Sequence, residues 1–256
     1  MSKISGLSPA TLKRIKNYWL QRETPVLSHH CYAVAKYLLF DGTYFHKKGC
    51  LALVIDIERK LILSSEYIEK ESYYATFPMF SDLKKRGLSP TAITLDGHRM
   101  VIRAILQTWP YVLIQRCLFH IQNQGLMWIR YRPKTEAGQK LRGLLRTVTA
   151  ISSQDDSTCF RSNYQTWHQM HDESIRLLAR DSVANTDLKR TMSLIDNALP
   201  NMFHFVKDPN IASTTNYLES LYSQLKHQYR NHRGLSETHK IQYLKWYCYF
   251  KNSNTF

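Results

Sequence analysis

The sequence predicts an α/β protein built on one mixed β-sheet, with a helical insertion before its last helices. Three observations support this fold class: three β-rich runs follow one another near the start, a strand, a helix and a strand then alternate, and strand signals stop after residue 118. Consecutive strands with short connections form an antiparallel meander, whereas a strand–helix–strand unit places its two strands in parallel. The predicted sheet therefore has three antiparallel strands followed by parallel ones.

Apolar runs that end at turn residues define the individual elements. Strands are predicted over residues 32–40, 51–57, 60–64, 91–95 and 111–115. The first of these strands is expected to stop at Asp41-Gly42, and the fourth at Asp96-Gly97. Between and after the strands, helices are predicted over residues 71–86, 98–109, 212–228 and 237–250.

The chain is divided into four parts on this basis. We assign residues 1–30 to a partial helix-turn-helix-like DNA-binding segment, 31–120 to the first part of the core, 121–205 to a helical insertion and 206–256 to the C-terminal helices of the core. The first segment contains a helix with Ser8 as N-cap and Pro9 at its first position, and it carries an apolar stripe. An ordinary surface helix is the alternative interpretation of this segment.

Charge and composition limit the functional classes. The 256 residues include 35 Lys+Arg against 20 Asp+Glu, a net charge of +15, which favours a polyanionic partner such as nucleic acid. A hydrophobic content of 43% excludes an intrinsically disordered chain. No apolar run approaches the ~20 residues that span a bilayer, so no membrane association is expected. Five scattered cysteines favour a reducing compartment, and we expect a cytoplasmic protein, associated with the nucleoid if prokaryotic.

Two aspartates follow the predicted first and fourth strands. Asp41 and Asp96 would lie at the sheet edge where open α/β sheets bind their ligands. A partly desolvated carboxylate at this edge calls for a cation or for hydrogen-bond donors. The alternative is that each Asp-Gly dipeptide is only a turn, since it is a common turn sequence.

A third carboxylate is needed if these residues hold two divalent ions, which prefer oxygen ligands. The best candidate is Glu219, on the helix predicted to begin near Ala212. The helix has one apolar stripe, and another face carries Asn216, Glu219, Ser223, Lys226 and Arg230. This face could bind a metal ion at its acidic end and DNA phosphates at its basic end. The alternative is that it is simply exposed to solvent.

Four motifs in order give the sequence a family resemblance. They are Asp41-Gly-Thr-Tyr-Phe45, Thr94-Leu-Asp96-Gly, Cys117-Leu-Phe-His120, and Thr214-Thr-Asn-Tyr-Leu-Glu219-Ser followed by Arg230-Asn-His-Arg-Gly234. Together they resemble the transposase domain of the Mutator-like superfamily and its bacterial insertion-sequence relatives, over roughly residues 31–235. The resemblance implies an RNase H-like fold with a helical insertion before the third acidic residue.

The resemblance also implies a site and a reaction. Its acidic triad would be Asp41, Asp96 and Glu219, holding two Mg²⁺ or Mn²⁺ ions for DNA strand cleavage and strand transfer. Two-metal phosphodiester chemistry needs ions about 3.5–4 Å apart, and Asp41 would bridge them while the other two carboxylates each hold one side. Such an enzyme uses no Ser or Cys nucleophile, because positioning and charge neutralisation carry the reaction.

Cys117 and His120 match the Cys-x-x-His signature that the resemblance implies. Such a pair can begin a zinc site, but no second Cys/His pair with suitable spacing is present. A packed thiol with a polar histidine one turn later is the plain alternative. Our functional interpretation is that His120 lies beside the metals and contacts the scissile phosphate, and Asn216 is a further auxiliary candidate.

The expected partner is double-stranded DNA, both transposon ends and target, bound by a homodimer or higher oligomer. Candidate phosphate contacts are basic residues of the first helix and of the C-terminal helices: Lys13, Arg14, Lys16, Lys226, Arg230 and Arg233. The aromatic stripe of the last helix, Tyr243, Trp246, Tyr247 and Phe250, favours core packing over base stacking. Two alternatives to a transposase remain open: a catalytically inactive or co-opted DNA-binding protein derived from one, and a structure-selective nuclease.

Overall fold

A computed structural model describes residues 6–45, 49–232 and 234–253. Its centre is a five-stranded mixed sheet with the strand order β3-β2-β1-β4-β5. The strands are β1 Tyr37–Tyr44, β2 Cys50–Asp56, β3 Leu61–Ile68, β4 Ala92–Leu95 and β5 Leu113–Arg116. The first three are antiparallel neighbours, and β4 is parallel to both β1 and β5. The predicted mixed α/β sheet is thereby confirmed.

Helices precede, link and follow the strands. They are α1 Pro9–Leu20, α2 His29–Ala33, α3 Tyr73–Lys85, α4 Arg99–Thr108, α5 Leu118–Trp128, α6 Glu136–Thr147, α7 Gln154–Arg176, α8 Val183–Ala198, α9 Asn216–Tyr229 and α10 Glu237–Ser253. Several begin at a side chain that accepts a hydrogen bond from the first turn, as Ser8 does from the Thr11 N–H in α1.

The two faces of the sheet are covered by different helices. On one face, alternate strand residues such as Leu38 and Phe40 pack against α3 and α4, where Phe80 lies edge-on to Phe40. On the other face, Leu39 and Leu53 pack against α9 and α10. This alternation follows from the period of two in a β-strand. Asp41 has the same parity as Leu39, so it belongs to the α9 side.

The first strand is where the prediction was wrong. Residues 32–36 were expected to be extended, but Tyr32 lies in α2 and is buried in the core beside α3. At the other end, the strand does not stop at Asp41-Gly42, because pairing with β2 continues to Tyr44 opposite Cys50. The alternative that Asp41-Gly42 is only a turn is therefore excluded.

The chain between β5 and α9 is helical in its described residues, as the sequence predicts. Helices α6, α7 and α8 share their own apolar core around Leu141, Trp167 and Ile195. The insertion is tied to the sheet by Gln115, which is fully buried, donates to the Met202 carbonyl and accepts from the His204 N–H. Helix α5 runs across the predicted boundary at residue 120, so core and insertion share a helix.

Two further expectations concern compartments. Among the described residues, no helix is both long enough and apolar enough to cross a lipid bilayer. All five cysteines are unpaired, and three of them, Cys50, Cys117 and Cys248, are buried.

Candidate active site

The carboxyl ends of three parallel strands bring Asp41, Asp96 and Cys117 into a row. The parallel pairing of β1 with β4 ends at Leu39 and Thr94, and each aspartate follows two positions later, Asp41 within β1 and Asp96 just after β4. At the other side of β4, Leu95 pairs with Arg116, so Cys117 is the neighbour of Asp96. This is the edge at which open α/β sheets bind ligands, as the sequence predicts.

Four hydrogen bonds seat the start of α9 against this edge. The Thr94 hydroxyl donates to the Ala212 carbonyl at 2.6 Å, and the Leu118 N–H donates to the Ser213 carbonyl at 2.9 Å. The N–H of Thr215 donates to the Cys117 sulfur at 3.3 Å. One turn into the helix, the buried Tyr222 hydroxyl donates to the Asp41 carbonyl at 2.6 Å. These contacts fix the first turn of α9, and with it Glu219, above the ends of β1 and β4.

His120 connects Glu219 to the strand ends. Its Nε2 lies 3.7 Å from the Glu219 carboxylate, and its Nδ1 lies 3.4 Å from the Thr215 hydroxyl. A hydrogen bond with the Cys117 thiol, together with the charges of Cys117, Asp41 and Asp96, raises the pKa of His120 to about 9, although burial opposes this. Burial would raise the pKa of Cys117, but the His120 contact outweighs it and lowers that pKa. These contacts favour the protonated imidazolium of His120, with the Cys117 thiol behind it.

Asp41 is an acidic residue whose pKa is strongly affected by its surroundings. Burial, together with the charges of Asp96 and Glu219, raises the pKa of its carboxyl group to about 6, although His120 and the Gly42 N–H oppose the shift. The three predicted acidic residues are thus electrostatically coupled across one site. Within the described chain, Asp41 has no Lys or Arg ion-pair partner.

Glu71 is a fourth carboxylate that the sequence reasoning missed. Burial raises its pKa to about 7, and the charges of Asp96 and Asp41 add to the shift. The strand β3 is antiparallel to β2 and therefore runs in the direction of β1, so the residues after Ile68 return to the edge that holds Asp41. That directional argument was available from the predicted meander and is the signal that could have found Glu71.

Gly42 makes room for this fourth carboxylate. A Cβ atom on residue 42 would lie 2.6 Å from the Cys50 sulfur and 2.8 Å from Glu71 Oε1. Such distances are well inside van der Waals contact, so any side chain here would displace Glu71, Cys50 or the strand itself. The glycine of the Asp41-Gly42 pair thus serves close packing inside β1 and not a turn.

The chemistry of these side chains fits hard divalent cations. Carboxylate oxygens are the ligands that Mg²⁺ and Mn²⁺ prefer, and burial together with neighbouring carboxylates raises the pKa values of Asp41 and Glu71, whereas the charge of His120 opposes both shifts. Among residues 6–45, 49–232 and 234–253, however, no three His, Cys, Asp or Glu side chains lie close enough together to hold one metal ion. The carboxylates share a site, but they are not drawn around a common centre.

The other predicted site residues lie outside this cluster. Asn216 is the first residue of α9 and is exposed. Lys226 lies further along α9, where its Nζ is 5.7 Å from the ring centre of Phe45, and Arg230 is exposed just beyond the helix. The three basic residues of α1, Lys13, Arg14 and Lys16, are exposed. Arg233 falls outside the described residues.

The aromatic stripe of α10 is mostly packed, as the sequence favours. Trp246 is 7% exposed, lies edge-on to Trp19 of α1, and donates from Nε1 to the Trp19 carbonyl at 2.9 Å. Tyr243 packs beside Tyr229 of α9, whereas Phe250 is 56% exposed. The stripe therefore attaches α1 and α9 to α10.

Proteins named as insertion-sequence transposases are similar to this chain. The chain is 25% identical over 152 residues to a probable transposase for an insertion sequence element from Corynebacterium diphtheriae, over 57% of this chain and 43% of that protein. It is 23% identical over 236 residues to the transposase for insertion sequence element IST2 from Acidithiobacillus ferrooxidans, over 87% of this chain and 74% of that protein. The chain thus spans less than half the length of the first of these relatives. A family model described as "Transposase, Mutator family" matches residues 2–244, nearly the whole sequence. The chain therefore belongs to the Mutator family of transposases.

Proposed function

We propose that this chain is a DDE transposase that cleaves DNA strands and joins them to a target with the help of divalent metal ions. The observation that carries the proposal is the meeting of Asp41 and Asp96 at the ends of adjacent parallel strands, with Glu219 of α9 electrostatically coupled to Asp41. The strand order β3-β2-β1-β4-β5, with helices on both faces, supports an RNase H-like core.

The residues of the site have distinct roles in this proposal. Asp41, Asp96 and Glu219 would hold the metal, and Glu71 adds a carboxylate beside Asp41. When bound, divalent ions polarise the scissile phosphate and increase the acidity of a coordinated nucleophile. In the first step water attacks a phosphorus atom and the bond to the 3′-oxygen breaks, which gives a 5′-phosphate and a free 3′-hydroxyl. In the second step this hydroxyl attacks a phosphate of the target strand, a new phosphorus–oxygen bond forms, and the 3′-oxygen of the target strand leaves as a hydroxyl with the proton that the attacking group has lost. The enzyme forms no covalent bond to DNA in either step.

His120 would orient and neutralise charge. Its imidazolium is held by Cys117 and Thr215 and lies 3.7 Å from the Glu219 carboxylate, so it would restrain the position of the third carboxylate. In the presence of DNA, the same N–H donor is suited to a phosphate oxygen, because charge-assisted hydrogen bonds to phosphate are strong. We therefore propose that the Cys117 and His120 pair positions and neutralises charge in the site and does not bind zinc.

The test is cleavage of supercoiled plasmid that carries the DNA flanking the coding sequence, with Mg²⁺ or Mn²⁺. Cleavage should fall by more than about 100-fold in each of the variants Asp41→Asn, Asp96→Asn and Glu219→Gln. This loss exceeds the ~10–100-fold effect that is typical of residues that only orient the metal ligands. Asp172→Asn is the matched control, since Asp172 lies on α7 in the insertion and forms an ion pair with Arg176 of its own helix. Normal cleavage by Asp96→Asn would contradict the proposal.

One observation favours a second candidate, a transposase-derived DNA-binding protein without catalysis. In the described residues the acidic side chains do not form a three-ligand group. Isothermal titration with Mn²⁺ separates the two, because only an enzyme should bind Mn²⁺ in a way that Asp41→Asn and Glu219→Gln abolish. A structure-selective nuclease would bind the metal but give cleaved ends that are never joined to target DNA. Duplex DNA as partner, and a dimer or higher oligomer on it, are parts of the proposal that the same assays address.

A further inference from the structure

A groove lined by arginines opens beside the candidate active site. It lies between α4 and α8, has a volume of about 740 Å³, and begins at Gly97, the residue after Asp96. Its lining includes four arginines, Arg99, Arg103, Arg116 and Arg190, and the described residues that line it include no Asp or Glu. The carboxylates that accompany two of these arginines, Asp187 beside Arg190 and Asp96 near Arg116, lie outside the lining, so the charged side chains of the lining are all positive.

Arg116 connects the groove to the carboxylates. It is the last residue of β5, pairs with Leu95, and is only 7% exposed. Its guanidinium lies so close over the backbone of Gly97 that a side chain at residue 97 would collide with it. Its buried Nε has no hydrogen-bond partner in the described part of the chain. A buried guanidinium that is not fully satisfied is costly, so a ligand that accepts hydrogen bonds here would be favoured.

The other three arginines are presented from both walls. Arg99 and Arg103 are exposed and lie one turn apart on α4, so they share a face of the helix. On the opposite wall, Arg190 of α8 is held by the Asp187 carboxylate at 2.7 Å and by the Trp128 carbonyl at 3.1 Å. Arg190 is therefore fixed in place on the α8 wall, whereas on the α4 wall Arg99 is exposed and Arg103 lies 5.3 Å from the ring centre of Tyr73.

We propose that this groove binds the phosphodiester backbone of the DNA strand next to the scissile phosphate, an inference that rests on the proposed function. Guanidinium groups match phosphate oxygens in geometry and charge, and contacts to the backbone position DNA without reading its sequence. The exposed amide of Gln107 supplies an additional neutral donor on the α4 wall. Because Gly97 follows Asp96 directly, a strand in the groove would be led to the carboxylates.

Salt dependence of DNA binding tests this proposal. Fluorescence anisotropy with a labelled duplex of about 30 base pairs, in EDTA and between about 50 and 200 mM NaCl, measures how many phosphates are neutralised. Arg99→Ala/Arg103→Ala should weaken binding roughly tenfold and reduce the slope of log K against log salt by about 1.8, at about 0.9 per phosphate contact.

Two matched variants decide the interpretation. Lys134→Ala/Arg146→Ala removes the same charge from exposed residues outside the groove and should leave the slope nearly unchanged. Asn197→Asp places a near-isosteric negative charge on the α8 wall and should weaken binding without touching α4. If the α4 variant does not fold, Asn197→Asp decides alone. An unchanged slope for the groove variants, or an equal loss in the control pair, would overturn the proposal.

The outcome is separable from that of the proposed function. The binding assay contains no metal, so its result is valid even if the carboxylate variants retain cleavage. Conversely, an unchanged slope would contradict the groove proposal and would not affect the proposed enzyme function. Inorganic phosphate is added at constant ionic strength as a competitor. Displacement of DNA by phosphate beyond the effect of NaCl would overturn the backbone assignment in favour of a small-anion site.

Discussion

Two pairs of carboxylates in this chain are shielded from water, and they differ in whether the fold supplies a positive charge beside them. Asp56 is fully buried, and it accepts hydrogen bonds from the Glu58 N–H at 3.1 Å and from Arg59 Nε at 2.5 Å. Asp187, which is 6% exposed, is bound by Arg130 at 2.5 Å and by Arg190 at 2.7 Å. Each of these charges has its countercharge within the fold, as buried charges usually do.

Asp41 and Glu71 have no such partner within the described residues. Instead, burial is the largest cause that raises the pKa of Asp41 to about 6 and that of Glu71 to about 7, and the charge of His120 opposes both shifts. The comparison therefore separates carboxylates that stabilise the fold from carboxylates whose burial destabilises it. Groups whose pKa is shifted by burial and by like charges are typical of functional sites.

The sharpest test of this comparison is the same substitution at both kinds of carboxylate. Asp56→Asn should lower the free energy of unfolding by about 3 kcal/mol, because it removes the charged partner of Arg59 in a buried pair. Asp41→Asn should raise it by about 1 kcal/mol near pH 8, since it removes a charge that has no countercharge. Urea unfolding of the metal-free protein measures both.

Wild-type and Glu66→Gln proteins provide the reference for these measurements, because Glu66 pairs with Lys245 at a partly exposed position. Its loss should change the free energy of unfolding by less than about 1 kcal/mol. Equal destabilisation by Asp56→Asn and Asp41→Asn would erase the proposed distinction.

The pH dependence of stability is the second test. The folded-state pKa values of Asp41 and Glu71 lie above the ordinary values of 3.8 and 4.5, so the folded state binds protons more tightly than the unfolded state. Their contribution to stability is full below about pH 4 and is lost as the pH rises through about 6 and 7. We expect a loss of about 2 kcal/mol over this range, reduced by the partial exposure of both side chains.

His120 adds to the same trend at higher pH. Its folded-state pKa of about 9 lies above its ordinary value of 6.5, so its contribution is lost as the pH rises between these values. The double variant Asp41→Asn/Glu71→Gln should flatten the profile below about pH 7 and leave the upper part. A double variant with the wild-type profile would show that other groups cause the trend.

Much of the fold follows from the sequence because its signals are local. Strand β4 and helix α4 were predicted to within a residue or so, since Asp96-Gly97 does separate them and the apolar spacing changes there from strand to helix. The error at Asp41-Gly42 came from treating a glycine as evidence for a turn. What requires Gly42 is the approach of Cys50 and Glu71 from distant parts of the chain, which no local pattern encodes.

The site was predictable to the same extent. Asp96 and Asp41 could be found because the ends of adjacent parallel strands meet at one edge. Glu71 required the direction of β3 to be followed past its end, and Arg116 had no local signal, because its importance comes from lying across Gly97 in the neighbouring segment. Residues that act through tertiary packing are those that the sequence left unassigned.

The smallest predicted effect concerns the space beside Glu71. Gly42→Ala should lower the free energy of unfolding by about 1 kcal/mol, at the low end of the range for overpacking, because the Glu71 carboxylate can move away whereas the buried Cys50 cannot. In Gly42→Ala/Cys50→Ala the sulfur is gone, so the double variant should be less destabilised than the sum of the single variants. Denaturant unfolding of wild type, the two single variants and the double variant measures this coupling.

Mn²⁺ binding to Gly42→Ala should also weaken, since the displaced Glu71 borders the Asp41 site. If the four unfolding energies are additive and metal binding is unchanged, then Gly42 is not required for packing between Cys50 and Glu71, and Glu71 does not belong with the unpaired carboxylates.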